Sequence, residues 1–388
     1  MHILVAPDKF KGTLDSPGVA EAIARGARIA LPASSMTLRP VADGGEGTVD
    51  ALLYAAGGRV VEMQVTGPLG GRAGLTVGYL NDGRVVMEVA QAAGLTLVRP
   101  QERRSLDATS RGLGDALAEI LKKAPAESIV VGVGGTASTD GGTGAATALG
   151  WRFLDRRGQT LPSGGGALVG LARIDGDSVW PELRDAKLMG ACDVVNPLLG
   201  DEGTARVFAP QKGASEEEVA VLEEVMETLS ERIEADLGVD VATVECAGAG
   251  GGLGAGLVAF FGAGLGRGFD VVSEAVGLPE AVRAADLVIT GEGRLDEQSL
   301  MGKAPVGVAQ LASAARLRCL AVSGEVLVDS KRLKMFGIKA AGSLTETVGS
   351  ERALADPAGS ITETTTRLIR STLKGEIERG GRPERSRF

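Results

Sequence analysis

Short apolar runs alternate with segments of helical pattern at both ends of this chain, and nearly every apolar run stops at a loop rich in glycine and charge. Residues 3–6, 37–41, 286–290, 317–323 and 338–342 read as strands. Helical patterns at 16–30, 48–56, 304–315 and from Ser360 onward separate or follow them, the first opened by Ser16-Pro17 as cap and first-turn proline. Five strands alternating with helices predict an α/β fold, a doubly wound parallel sheet of flavodoxin-like order 2-1-3-4-5. The middle of the chain breaks this rhythm. Residues 59–65, 75–80 and 84–89 read as successive strands joined at glycine turns, which predicts antiparallel or mixed pairing. A helix at 110–123 and a buried strand at 128–133 follow. Ser215-Glu-Glu-Glu218 is a capping box opening a helix that carries Val219, Leu222, Val225, Leu229, Ile233 and Leu237 on one face and stops at Gly238. The expected organisation is a discontinuous flavodoxin-like domain, 1–65 plus 273–388, with a second α/β domain of mixed sheet inserted at 66–272.

Glycine is in excess, 58 of 388 residues, about twice the usual share of roughly 7%. The excess gathers at the ends of apolar runs, where glycine lets the backbone approach something closely. The chain has one histidine, His2, at a strand end. Ser–His and Cys–His nucleophiles and histidine metal sites are therefore out of reach, and acid–base work falls to Asp, Glu, Lys or Tyr. A net charge of −9 argues against nucleic acid as a partner. No apolar run approaches the ~20 residues a membrane span requires, and MHILVAPDKF carries no signal-peptide pattern. Three cysteines, Cys192, Cys246 and Cys319, lie far apart with no CxxC, which fits a reducing cytoplasm.

The charged loops share a position. APDKFKG follows the first strand, ADGGEGT the second, TGEGRLD the third and SGE the fourth, all at carboxyl ends, where open α/β sheets bind ligands. The crevice is expected between the first and third strands, with the inserted domain closing over it and adding GGTASTDGG (134–142) and ACDVVNPL (191–198). Glycine N–H groups at Gly44, Gly45, Gly134 and Gly135, with Thr136, Asp140 and Lys303, suit phosphate oxygens. Lys9, Lys11 and Arg294 add positive charge. Asp43, Asp296 and Glu292 suit Mg²⁺, and Asp193, at a strand end before the Asn196-Pro197 turn, suits a general base, with Asp140 as runner-up. Phosphoryl transfer uses such a set and needs no histidine. Each loop alone reads equally as an ordinary turn; four together at strand ends do not. There is no Walker A motif, since GKAP (302–305) lacks the Ser or Thr after GK, and no kinase HRD or DFG set. A rival reading takes GVGGTA (132–137) with Asp155 as a dinucleotide fingerprint, hence an NAD-dependent dehydrogenase of a small hydroxy acid. Helical pattern resumes only near Ala145, however, too late for that motif.

Taken in order, APDKFKGTLDS, PVADGGEGT, GGTASTDGGTGAA, ACDVVNPLLG, APQKGA, GAGGGLG and TGEGRLDEQSLMGKAPVGVA resemble the bacterial type I glycerate kinase family from residue 1 to about 375. The resemblance implies transfer of the ATP γ-phosphate to D-glycerate with Mg²⁺, 2-phosphoglycerate being favoured over 3-phosphoglycerate. It also implies a flavodoxin-like domain with a restriction-enzyme-like second domain. With anionic glycerate as acceptor, the forked guanidinium of Arg294, with Lys9 and Asp8, is assigned to substrate, and Lys11 and the strand-end Asp193 to catalysis. Thr139 stands where members often carry Asn, and Met301 where many carry His or another polar residue. Small-molecule partners are expected, with neither nucleic acid nor membrane; homo-oligomerisation is left open.

Overall fold

The computed structural model describes residues 1–123, 126–301 and 303–377. Its strands in chain order are β1 (His2–Val5), β2 (Ser35–Leu38), β3 (Gly58–Thr66), β4 (Arg72–Leu80), β5 (Val85–Glu88), β6 (Ile129–Gly132) and β7 (Arg152–Leu154). Then come β8 (Arg173–Asp175), β9 (Leu188–Cys192), β10 (Gly264–Arg267), β11 (Leu287–Leu295), β12 (Arg318–Val326) and β13 (Ile338–Ser343). The chain divides into two compact units. One comprises Met1–Asp43, Asp50–Gly57 and Val272–Phe388, the other Gly44–Val49 and Gly58–Val271.

The first unit holds a five-stranded sheet of order β13-β12-β11-β1-β2, every pair parallel. This is the doubly wound 2-1-3-4-5 order expected from the strand–helix alternation. Ile3, Val5, Leu287, Ile289, Leu320 and Val322 fill the core on one side, packed with Val19, Ile23 and the last helix's Ile361 and Ile369. The helix Ser16–Ala30 crosses the helix Pro357–Ile377 so closely that a Cβ on Gly26 would lie 2.4 Å from the Thr362 carbonyl oxygen. Asp15, not Ser16, caps the first of these helices, accepting from the Gly18 amide at 2.8 Å. The last helix begins at Pro357, three residues before the expected Ser360.

One difference matters for the site. β11 does not stop at Thr290 but continues to Leu295, paired residue by residue with β12 through Arg294–Glu325 and Leu295–Val326. The stretches read as loops, TGEGRLD and SGE, therefore lie largely in strands. Their glycines serve the sheet: a Cβ on Gly291 would sit 2.2 Å from the Val322 carbonyl oxygen, and one on Gly324 2.4 Å from that of Gly293.

The second unit holds a six-stranded sheet of order β10-β9-β6-β5-β4-β3. β3–β4 and β4–β5 are antiparallel; β5–β6, β6–β9 and β9–β10 are parallel. The mixed pairing is the one the glycine turns suggested, and β3, residues 58–66, forms its edge, whereas the sequence boundary at residue 66 falls at the end of that strand. The capping box at Ser215 is formed, and the helix Glu216–Leu237 buries Leu222, Val225, Leu229 and Ile233 against the core. Among the described strands, β7 pairs with β8 alone, antiparallel, in a separate ribbon. In a dinucleotide-binding unit it would extend the parallel sheet. The Asp155 carboxylate instead ties its own turn, accepting from the amides of Arg157 and Gln159. The dehydrogenase fingerprint is thus corrected: GVGGTA is a strand end followed by a loop, and the next helix starts only at Thr143.

Candidate active site

In the first unit, β1 delivers Asp8 at its carboxyl end, where the Asp8 amide donates to the Gly291 carbonyl at 2.8 Å and so fixes the loop against β11. Glu292 projects from β11 itself. Both carboxyls are buried, at 9% and 8% exposure. Burial, then the Asp43 charge, pushes Asp8 up to about 8; the Lys9 charge and amide pull the other way, and Glu292 adds to the rise. Burial likewise pushes Glu292 up to about 7, opposed by a Ser299 hydrogen bond and the Lys303 charge and reinforced by Asp296 and Asp43. The Lys9 amide donates to Asp8 Oδ1 at 2.6 Å, whereas Glu292 Oε1 is buried without a hydrogen-bond partner. Asp8, Lys9, Asp43, Glu292, Asp296 and Lys303, all chosen from sequence, thus meet at one end of the parallel sheet. Their carboxylates outnumber the ammonium groups in a poorly hydrated place, an arrangement that a cation would relieve.

Arg294 and Asp296 are already engaged with neighbours. Arg294 pairs with Asp296 Oδ2 at 3.6 Å and Glu325 Oε2 at 3.7 Å while staying largely exposed. Asp296 closes a turn, its Oδ1 accepting from the amides of Gln298 at 3.0 Å and Ser299 at 3.3 Å. Lys11 is exposed on the loop after β1. Among the described residues, no three Asp, Glu, Cys or His side chains gather closely enough to enclose a metal ion.

In the second unit, the loop after β6 is held from three sides. Asp140 is wholly buried, and its Oδ2 accepts from the Ser110 amide at 2.8 Å, the Ser110 hydroxyl at 2.9 Å, the Thr109 hydroxyl at 3.3 Å and the Gly144 amide at 3.2 Å. Its Oδ1 accepts from the Gly142 amide at 3.2 Å. Burial raises its pKa, and the bonds from Ser110, Gly142 and Gly144 oppose the rise. These bonds fasten the loop to the start of the helix Arg111–Lys123, a structural task for the Asp140 carboxylate beside the phosphate role expected from sequence. Gly134 also has a local reason, since a Cβ there would lie 2.5 Å from Asp193 Oδ2. Gly135 adopts φ +73°, open only to glycine without strain. Asp193 follows β9 directly and is exposed. Gly44 is explained by packing too, because a Cβ would meet the Ala191 carbonyl oxygen at 2.6 Å. Gly45 accepts from the Thr48 hydroxyl through its carbonyl.

Two residues that received no role from sequence complete this region. Lys212 is buried, and its Nζ donates to the Ser138 carbonyl at 2.6 Å and to Thr136 Oγ1 at 3.2 Å. Burial lowers it to about 8 against the pull of Asp140 and Asp193. Glu88 ends β5 in the core, and its Oε1 accepts from the amides of Gly47 at 2.9 Å and Val49 at 3.0 Å. The Gly47 and Val49 amides at the start of the helix Thr48–Ala56 are thus already occupied by a carboxylate. A lone lysine in APQKGA and a lone glutamate ending the apolar run VVME were the only signals in the sequence.

A family model described as the glycerate kinase family matches residues 3–373. A Bacillus subtilis (strain 168) protein named glycerate kinase is 42% identical over 375 residues, 96% of this chain and 98% of its own length. An Escherichia coli (strain K12) protein named glycerate 2-kinase is 42% identical over 351 residues, 90% of this chain and 92% of its own length. A crystal structure from Salmonella typhimurium LT2, its protein described as a candidate glycerate kinase 2, superposes with a TM-score of 0.87 at 39% identity, covering 97% of this chain and 99% of the other. The α/β architecture and these likenesses over almost the full length define a phosphotransferase. The chain belongs to the glycerate kinase family.

Proposed function

We propose that the protein transfers the γ-phosphate of ATP to the 2-hydroxyl of D-glycerate, giving 2-phosphoglycerate and ADP. The observation that carries the reading is the buried, cation-seeking cluster of Asp8, Asp43 and Glu292 beside Lys9 and Lys303 at the carboxyl end of the parallel sheet. The name of the E. coli relative, glycerate 2-kinase, supports the choice of hydroxyl. The orphaned Glu292 Oε1 fits one Mg²⁺ held by Glu292 and Asp43, with water and ATP oxygens filling the remaining positions, the arrangement this ion favours. Bound there, Mg²⁺ would offset negative charge on the transferring phosphoryl group.

The chain's own groups do the rest. Lys303 and the amides of Gly45, Gly135 and Thr136 hold phosphate oxygens. Lys9, Lys11 and Asp8 orient glycerate, and the Arg294 fork takes its carboxylate by exchanging it for Asp296 and Glu325. The glycerate hydroxyl oxygen bonds to phosphorus as the bond to ADP breaks, and its proton passes to the Asp193 carboxylate. The three cysteines are free thiols, in keeping with a reducing cytoplasm. No helix among the described residues is long and apolar enough to cross a membrane.

The test is a coupled ADP-release assay with ATP and D-glycerate, with NMR of the product. Expected is ATP- and glycerate-dependent turnover giving 2-phosphoglycerate, abolished by EDTA and restored by Mg²⁺. The 3-phosphate as product would overturn the regiochemistry, full activity in EDTA the metal, and absence of turnover the reading as a whole.

A further inference from the structure

The residue just before Asp193 is Cys192, and its thiol is near enough to that of Cys246, 54 positions along the chain, for each to act on the other's charge. Both are buried, at 3% and 2% exposure. The segments that carry them are already joined through the backbone: the Cys246 amide donates to the Val195 carbonyl at 3.3 Å and the Gly248 amide to the Asn196 carbonyl at 3.0 Å. Cys246 is also one of two non-glycine residues with positive φ among the described residues, at +69°. A side chain there costs about 1–2 kcal/mol relative to glycine, and such strain marks sites where the side chain serves a purpose. Arg267 stands opposite Cys192 in the β9–β10 register and reaches Glu245, next to Cys246, at 3.2 Å. This ion pair next to the two cysteines is solvent-exposed, worth at most about 1 kcal/mol, and opens easily.

We propose that Cys192 and Cys246 are a reversible disulfide site, oxidised by a hydroperoxide and restored by a dithiol, and that the bridge switches off the neighbouring Asp193. The Cys246 sulfur attacks the peroxide oxygen, releasing water (or the alcohol of an organic peroxide) and leaving a sulfenic acid. The Cys192 sulfur then displaces that hydroxyl as a second water, its own proton completing it. Two thiols and one peroxide thus become one disulfide. The order of attack follows the surroundings of the two thiols. The Cys192 S–H donates to the Gly190 carbonyl at 3.9 Å, and burial and Asp193 raise that thiol, whereas Arg267 favours the Cys246 thiolate, so Cys246 reacts first. Cys319 is fully buried away from any charge partner, with its thiol pushed up to about 12 by burial, and serves as an internal control. The effect on turnover rests on the role proposed above for Asp193; formation of the bond does not.

The experiment treats the full-length protein with hydrogen peroxide, alkylates free thiols under denaturing conditions and counts them by mass. Expected is a fall from three thiols to one, with a linked peptide joining positions 192 and 246, recovery with dithiothreitol, and a loss of at least tenfold in kcat that tracks the link. Cys192→Ser and Cys246→Ser should each keep their activity through the same treatment. Three thiols remaining, sulfinic acids without a link, or a link to Cys319 would overturn the site. A full link with unchanged kcat would overturn its control of Asp193. If Asp193→Asn proved fully active, the catalytic reading would fall, while the thiol count would still decide the disulfide.

Discussion

Replacing Glu292 with Gln should make the protein more stable and inactive at once. Glu292 is buried, its Oε1 has no partner, and its carboxyl is pushed up to about 7 from 4.5. The folded state therefore binds a proton more tightly than the unfolded chain, and the wild type loses stability as pH rises from about 4.5 to 7. A gap of about 2.5 units at about 1.4 kcal/mol each limits the loss to roughly 3 kcal/mol. Gln has nearly the same shape and never ionises, so its advantage should be under about 1 kcal/mol at pH 5 and grow by about 2–3 kcal/mol by pH 8. Asp8 contributes in the same direction, because its own rise depends partly on the Glu292 charge. The measurement is the thermal midpoint of both proteins in metal-free, nucleotide-free buffer between pH 5 and 8.5, beside kcat with Mg²⁺ at pH 8. A difference in midpoint that stays constant with pH, or a variant less stable than wild type at pH 8, would refute the claim that ionised Glu292 is held against its preference. A stabilised variant with full activity would leave the electrostatics intact and remove Glu292 from the metal.

Asp193→Asn should lower kcat by roughly 10²–10⁴-fold, while ATP binding measured by calorimetry changes less than about threefold; near-normal kcat would remove Asp193 as the base. Asp140→Ala strands the Ser110 amide and hydroxyl and two glycine amides, each worth about 1–3 kcal/mol when buried unpaired. Chemical denaturation should show a loss of about 3 kcal/mol or more, whereas normal stability with a raised KM for ATP would favour the phosphate role. Arg294→Lys keeps charge but loses the planar fork, so the KM for glycerate should rise far more than that for ATP; equal increases would end the assignment of Arg294 to the glycerate carboxylate.

Much of the fold was fixed by local pattern. Strand–helix alternation at the two ends is enough to specify the parallel 2-1-3-4-5 sheet, because each apolar run of about four residues must be buried on both faces and each helix must return the chain. The glycine turns at 59–89 specified antiparallel pairing, and the Ser215–Glu218 box specified a helix start, both being interactions within a few residues. The gathering of carboxylates and lysines at strand ends was legible for the same reason, since the end of a strand is a position in sequence. What each of those residues does there was decided by contacts between distant segments. Gly134 looks like a phosphate cradle until Asp193, 59 positions away, is found where its side chain would be. Asp140 looks like a ligand until the Ser110 and Thr109 donors arrive from the segment just before the helix Arg111–Lys123. Gly291 and Gly324 look like loop glycines until β11 and β12 are seen to run on through them, backbone against backbone. Lys212 and Glu88 show in the sequence only as a lone lysine and a lone glutamate, and the pairing of Cys192 with Cys246 carries no local signal. A sequence shows which groups a chain possesses; desolvation and partnership, which set their charge and their use, exist only once the distant segments meet.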